Sequence, residues 1–306
     1  MYELIIIGGG PAGIAAGVYA ARKRLKTLFL TDEIGGQSTD SGDIQNWIGT
    51  PSISGPDLAK NFEDHLRNCA ADSLEIKTKQ KVTRVSGEQG NFTVTTEAGE
   101  TFQSEAVLVA TGSTRRQLQA PGAAEFENKG LTYCASCDGP LFAGQDVAVI
   151  GGGNAAFETA AQLLAYAKSV TLLQYRDFYK ADEITINKVL SHPNMTGLLN
   201  ATTKSINGDK FVSGLTYTEA DGTEKNLDVT GIFVEIGLIP NTAPVADFLD
   251  LDETKRIKID PWTGQTSVPG VWAAGDCTNV KYHQNNISAG FGVQALEDIY
   301  VHLKAR

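Results

Sequence analysis

The sequence predicts an α/β protein of two layered, parallel-sheet domains, the second inserted into the first. Three observations predict it. An apolar strand running into a glycine fingerprint occurs twice, each copy is followed by the same succession of strands, and one C-terminal strand–helix pair has no counterpart in the second copy. A length of 306 residues leaves room for roughly two domains.

The first copy is Leu4-Ile5-Ile6-Ile7 followed by Gly8-x-Gly10-Pro11-Ala12-Gly13 and an Ala-rich helix. In this pattern the first glycine permits a tight turn, the second lets a pyrophosphate approach the backbone, and the third lets helix and strand pack closely. Thr27–Leu30 follows as a second parallel strand. Turn signals at Gly87–Asn91 and Ala98-Gly99 mark a β-rich segment, and Ala106–Thr111 is an apolar strand that stops at Gly112. The second copy repeats this order. Val147–Ile150 leads into Gly151-x-Gly153-Asn154-Ala155-Ala156, where Ala can replace the last Gly. Val170–Leu173, turns at Asn207-Gly208 and Asp221-Gly222, and a strand from Gly231 to Gly237 follow. The unmatched pair is the strand Gly270–Asp276 and a helix carrying Val293, Leu296, Ile299, Tyr300 and Leu303 at helical spacing. These readings give two Rossmann-like (three-layer ββα) nucleotide-binding domains, one of residues 1–115 with 243–306 and an inserted one of residues 116–242.

A formal net charge of −10 argues against nucleic acid and anionic membrane surfaces as partners. No apolar run approaches a membrane span, and the N-terminus shows no leader pattern, so a cytoplasmic location is expected. There a Cys134-Ala135-Ser136-Cys137 pair is catalytic or metal-binding rather than a structural staple. Zinc would need about two more ligands. Cys69 and Cys277 are isolated and the four histidines show no ligand spacing, so no metal is expected. A two-electron sulfur couple between two nucleotide fingerprints implies electrons passing from one cofactor to another and then to a disulfide.

At the first fingerprint, an acidic residue for ribose is expected about 20 residues on. Asp32 stands just beyond the second strand, so either it reaches the ribose or the contact is made differently. Asp276, at the end of its own strand after Gly275, could accept hydrogen bonds from a ribityl chain, which FAD has and NAD lacks.

With Gly35-Gly36-Gln37, Asp43–Trp47, Gly130–Cys134, Cys137–Phe142, Gly231–Val234, Ala273–Thr278 and Gln284, the chain resembles the low-molecular-weight thioredoxin reductases along its length. Within them it is most similar to the reductase portion of the flavoprotein component of alkyl hydroperoxide reductase. The resemblance implies FAD at the first site. Gly275, Asp276 and Gln284 would hold the ribityl and flavin end, with Gly36, Gln37, Asn46, Thr111, Gly112 and His283 nearby, and Asn285 would open a helix facing the flavin. It makes Asp138 the acid that manages protons, and Cys137 the sulfur nearer the flavin. It implies NADPH or NADH at the second fingerprint and at Gly237.

The family's NADPH users carry an Arg-rich run after the second strand, and its NADH users open that run with Glu. Here the run is Gln174-Tyr175-Arg176-Asp177-Phe178-Tyr179-Lys180. Neutral Gln174 does not repel a 2′-phosphate, and Arg176 with Lys180 could pair with it, so NADPH is favoured. The degraded motif keeps ferredoxin open as the donor. The expected activity is NAD(P)H to FAD to the Cys134–Cys137 disulfide to a separate thioredoxin- or glutaredoxin-like protein. Separateness is expected because the chain begins at the flavin strand, without the N-terminal relay region of the peroxide-system relative. A non-catalytic FAD-binding redox sensor is the rival of another class. The resemblance further implies a homodimer, and a hinge near residues 113–117 and 237–242 that presents nicotinamide and dithiol to the flavin in turn.

Overall fold

The computed structural model describes residues 1–305. The chain divides into two compact units, Met1–Thr114 with Ile239–Arg306, and Arg115–Leu238. The return crossing falls before residue 243 because Asn241 is tied to the first unit. Its N–H donates to the Gly112 carbonyl (3.0 Å) and its Nδ2 to the Thr111 carbonyl (3.1 Å).

The first unit opens with β1 (Tyr2–Ile7), α1 (Pro11–Arg22), β2 (Thr27–Leu30), α2 (Gly55–Ala70), β3 (Leu74–Lys77), β4 (Val82–Glu88), β5 (Asn91–Thr96) and β6 (Thr101–Val109). The chain leaves through β7 (Ser113–Arg115). The second unit holds β8 (Leu131–Thr132), α3 (Ala135–Asp138), β9 (Asp146–Ile150), α4 (Asn154–Leu163), β10 (Ser169–Leu173), α5 (Glu183–Leu190), β11 (Met195–Leu198), β12 (Thr202–Gly208), β13 (Val212–Thr218), β14 (Glu224–Leu227) and β15 (Gly231–Val234). The chain returns through β16 (Leu238–Pro240) to β17 (Val271–Ala273) and α6 (Asn285–Lys304).

In the first unit β3, β2, β1, β6 and β17 pair in parallel, in that order. The long strand β6 has two kinds of neighbour. Residues 101–104 pair antiparallel with β5, while Val107, Leu108 and Val109 pair in parallel with β17. Alternation along β1 then builds the three layers. Leu4 and Ile6 pack with the helical side chains Ala16, Leu66 and Leu296, whereas Ile5 and Ile7 pack with Val85, Phe92 and Val94 of the antiparallel ribbon.

The second unit repeats the scheme with parallel order β11-β10-β9-β15-β8 and a separate antiparallel β12-β13-β14. Val147 and Val149 face Phe157, Ala160 and Leu163 of α4, and Ala148 and Ile150 face Ile206, Val212 and Leu215. Both units are therefore Rossmann-like ββα layers, as the sequence predicts. One turn differs: Asn207-Gly208 lies within β12 at a register irregularity, with Gly208 opposite Val212, so the turn falls between them. Among the described residues no helix is long and apolar enough to cross a membrane.

Candidate active site

In the first unit the C-terminal ends of β1, β2, β6 and β17 surround a cavity of about 710 Å³, within the range of small-molecule and cofactor sites. Its lining includes Gly8, Gly10, Pro11, Ala12, Asp32, Gly36, Gln37, Thr111, Gly112, Gly275, Asp276 and Asn285. Gly8 takes a φ of +117°, and a Cβ on it would lie 2.2 Å from the Ala110 carbonyl oxygen. A Cβ on Gly13 would lie 1.9 Å from the Gly8 carbonyl oxygen, so Gly13 serves helix–strand packing behind the cavity wall. Gly10 is different. It has an ordinary φ of −75° and nothing within 4 Å of the place a Cβ would take. The fold does not need glycine there, but a diphosphate approaching the first N–H groups of α1 would.

Asp276 sits at the end of the β17 segment and accepts the Ser288 hydroxyl at 2.9 Å, which ties it to the first turn of α6. Asn285 and Ser288 face the cavity, so the N-terminal end of this 20-residue helix, with its partial positive charge, is directed at it. Gln37 is held by two hydrogen bonds to Ser113, one of them 3.0 Å to the hydroxyl. These features fit FAD: a carboxylate for ribityl hydroxyls, a glycine surface for the diphosphate and a helix terminus for anionic charge.

The remaining expected FAD residues stand outside the cavity wall. Asn46 donates to Gln284 at 3.2 Å, and Asn286 donates to the Asn46 carbonyl at 2.7 Å, pinning the 46–48 segment to the start of α6. His283 lies with Nδ1 3.4 Å from Asp276 Oδ1, and neither ring nitrogen has a hydrogen-bond partner. The sequence reading missed Gln80, Lys81, Thr83, Glu97 and Asn241, which also line the cavity. The glycine motif carries no signal for them, since they come from the antiparallel ribbon and the returning chain. Cys277 is fully buried and its thiol is pushed up to about 11 by burial, which suits a packing residue rather than a nucleophile.

In the second unit Cys134 and Cys137 are joined in a disulfide at the single turn α3. Cys134 is the N-cap, and its Sγ accepts the Cys137 N–H at 3.2 Å. Asp138 follows, its carboxylate accepting the hydroxyl of Thr132. No cluster of metal-ligating side chains occurs among the described residues.

The second fingerprint caps α4. Gly151 has a φ of +146°, with a would-be Cβ 2.3 Å from the Glu235 carbonyl oxygen, and Ala156 is fully buried beneath it. Gly153, like Gly10, has nothing within 4 Å of a Cβ position. Asn154 and Ala155 open the helix, and Asn154 Oδ1 accepts the Asp182 N–H at 2.8 Å. Gln174 is buried against Gly152, and its Nε2 donates to the Phe178 carbonyl at 3.1 Å. Tyr175 is exposed, and the Arg176 guanidinium lies against the Tyr175 and Phe178 rings. Lys180 is exposed and anchors the run through its N–H to the Gly152 carbonyl (2.7 Å). Gly237 is exposed at a φ of +101°. Glu235 accepts the Thr159 hydroxyl at 2.8 Å, and burial pushes its carboxyl up to about 7.

Residues 2–290 match the profile of the pyridine nucleotide-disulphide oxidoreductases. The chain is 40% identical over 295 residues to a protein named NADH dehydrogenase from Bacillus subtilis (strain 168), covering 96% of this chain and 57% of that protein. It is 39% identical over 296 residues to the F subunit of alkyl hydroperoxide reductase from Escherichia coli (strain K12), again covering 96% and 57%. The chain thus spans little more than half the length of these relatives. Its fold superposes on thioredoxin reductase from Giardia duodenalis with a TM-score of 0.94, at 31% identity over 100% of this chain and 99% of that one. The thioredoxin reductase of Streptococcus pyogenes MGAS5005 gives a TM-score of 0.91 at the same identity and coverage.

Proposed function

Because the chain belongs to the pyridine nucleotide-disulphide oxidoreductase family, we propose that it is a thioredoxin reductase-like flavoenzyme. It would take electrons from NAD(P)H and deliver them, through FAD and the Cys134–Cys137 disulfide, to a thioredoxin- or glutaredoxin-like protein. The observation that carries this reading is the Cys134–Cys137 bond one residue before Asp138, in the same unit as a complete βα fingerprint.

Bound FAD would supply the two-electron exchange between a hydride donor and a disulfide. The chain's own residues do the rest. Gly10 and the first N–H groups of α1 leave room and dipole for the diphosphate, and Asp276 accepts from hydroxyls. Reduction of Cys134–Cys137 takes two electrons and two protons and leaves two thiols, and Asp138, the next residue, would be the acid that gives and retakes a proton. One thiolate then attacks the partner's disulfide, forming a mixed disulfide and releasing one partner thiolate. The second thiolate attacks its neighbour, closes Cys134–Cys137 and frees the partner as a dithiol. The fold of the solved thioredoxin reductases supports a partner of that class.

As donor we propose NADPH. The side chain at the ribose-reading position, Gln174, carries no charge, and Arg176 and Lys180 stand exposed on the same run. An anaerobic stopped-flow comparison of flavin bleaching by the two nucleotides tests this. NADPH should act faster at limiting concentration, and Gln174→Glu should weaken NADPH by about tenfold or more through like-charge repulsion. Faster bleaching by NADH would overturn the assignment. Bleaching by neither would point to a low-potential donor such as ferredoxin, an outcome consistent with the internal engagement of Gln174 by Phe178 and of Arg176 by its ring neighbours.

A further inference from the structure

Thr132 is the last residue of β8 and is held in place by parallel pairing with Phe233 of β15. It is buried to 6% exposure. Its hydroxyl has two defined partners: it donates to Asp138 Oδ2 and accepts the backbone N–H of Cys134 at 3.2 Å. The Asp138 N–H in turn donates to the Cys134 carbonyl at 3.1 Å. Strand, sulfur-bearing segment and carboxylate are thereby closed into one hydrogen-bonded ring.

A threonine hydroxyl has a single hydrogen. With that hydrogen committed to Asp138, only its lone pairs are left for Cys134. This polarity suits an ionised carboxylate, because a hydrogen bond to the charged form favours that form. A proton arriving on Oδ2 would force the hydroxyl to turn.

We propose that Thr132 is a positioning residue of the dithiol centre, tying the Asp138 carboxylate to the Cys134 main chain so that the acid and the sulfurs keep one register. The proposal rests on the reading of Asp138 as the proton carrier, and the test separates the two. The flavin-loaded protein is reduced with dithiothreitol, freed of reagent under anaerobic conditions, and re-oxidised with dithiodipyridine across a pH series. The two thiols lose two protons and pass two electrons to the reagent's disulfide, so the released thiopyridone reports the rate.

The wild-type profile should contain an ionisation that Asp138→Asn lacks. In Thr132→Val the midpoint of that ionisation should move up by about one pH unit, while Thr132→Ser should leave it close to the wild-type position. Thr132→Ala provides a second hydroxyl-free variant if the valine protein does not fold. A hydroxyl-free variant whose rate falls equally at every pH, or whose profile superimposes on wild type, overturns the proposal and leaves Asp138 its role. An Asp138→Asn profile identical to wild type removes the proton-carrier reading, and the proposal with it.

Discussion

Cys137→Ser should retain flavin and its reduction by nicotinamide nucleotide, yet lose disulfide reductase turnover by on the order of a thousandfold or more. The reason is that the second half of the exchange needs two sulfurs. A lone Cys134 thiolate can enter a mixed disulfide with the partner, but nothing then resolves it. The substitution is small and half-buried, and it leaves the apolar face behind it, Ala135 against Val147, Phe157 and Leu163, untouched. Flavin content and the rate of flavin bleaching therefore serve as internal controls for folding, and turnover of a thioredoxin-like disulfide is the readout. A variant that keeps turnover within a few-fold of wild type would remove the sulfur pair from the reaction. A non-catalytic redox sensor would show little turnover in either protein, which separates that rival reading from the enzymatic one.

Gly10→Ala and Gly13→Ala should fail in opposite ways. The Gly13 Cβ would sit 1.9 Å from the Gly8 carbonyl oxygen, with Gly8 itself pinned by a φ of +117° against the Ala110 carbonyl. Neither side can yield without separating α1 from β1. The variant should lose about 3 kcal/mol or more of stability, read as a lower thermal midpoint of the flavin-depleted protein. Gly10 has φ −75° and open space around its Cβ position. Gly10→Ala should unfold at the wild-type temperature without flavin, but bind FAD about a hundredfold more weakly, because the methyl occupies the diphosphate's approach. Unaltered FAD affinity in Gly10→Ala would place the diphosphate elsewhere.

These two glycines show how much of the site was legible. The fingerprint spacing marks both, and the strand that precedes each motif fixes its place at a sheet's C-terminal edge, so the layered fold, both nucleotide loops and the sulfur pair can all be read in one dimension. What a motif does not distinguish is a glycine kept for packing from one kept for a ligand, since that depends on which atoms stand opposite. The same limit hides Lys81, Thr83 and Asn241, whose place at the cavity comes from long-range return of the chain. It also applies to Asn46 and Gln284, which the resemblance places near the flavin and whose bond to each other the sequence does not show. Gln174 stands where the resemblance places the ribose reader, and its amide turns to the Phe178 carbonyl, a contact set by the conformation of the following loop rather than by its own position. Thr132 lies within the Gly130–Cys134 stretch that carries the resemblance, but the sequence does not show its bond to Asp138. Its importance rests on the pairing of β8 with β15 and the one-turn helix that brings Asp138 back to it.

The most direct test is an anaerobic reductive titration of the flavin-saturated protein with sodium dithionite, followed by absorbance and by thiol counting at each point. Electron passage between flavin and the sulfur pair predicts uptake of about four electrons per flavin, two of them recovered as the Cys134 and Cys137 thiols, and about two in Cys137→Ser. Complete flavin reduction at about two electrons in the wild type, with Cys134 and Cys137 still joined, would contradict it.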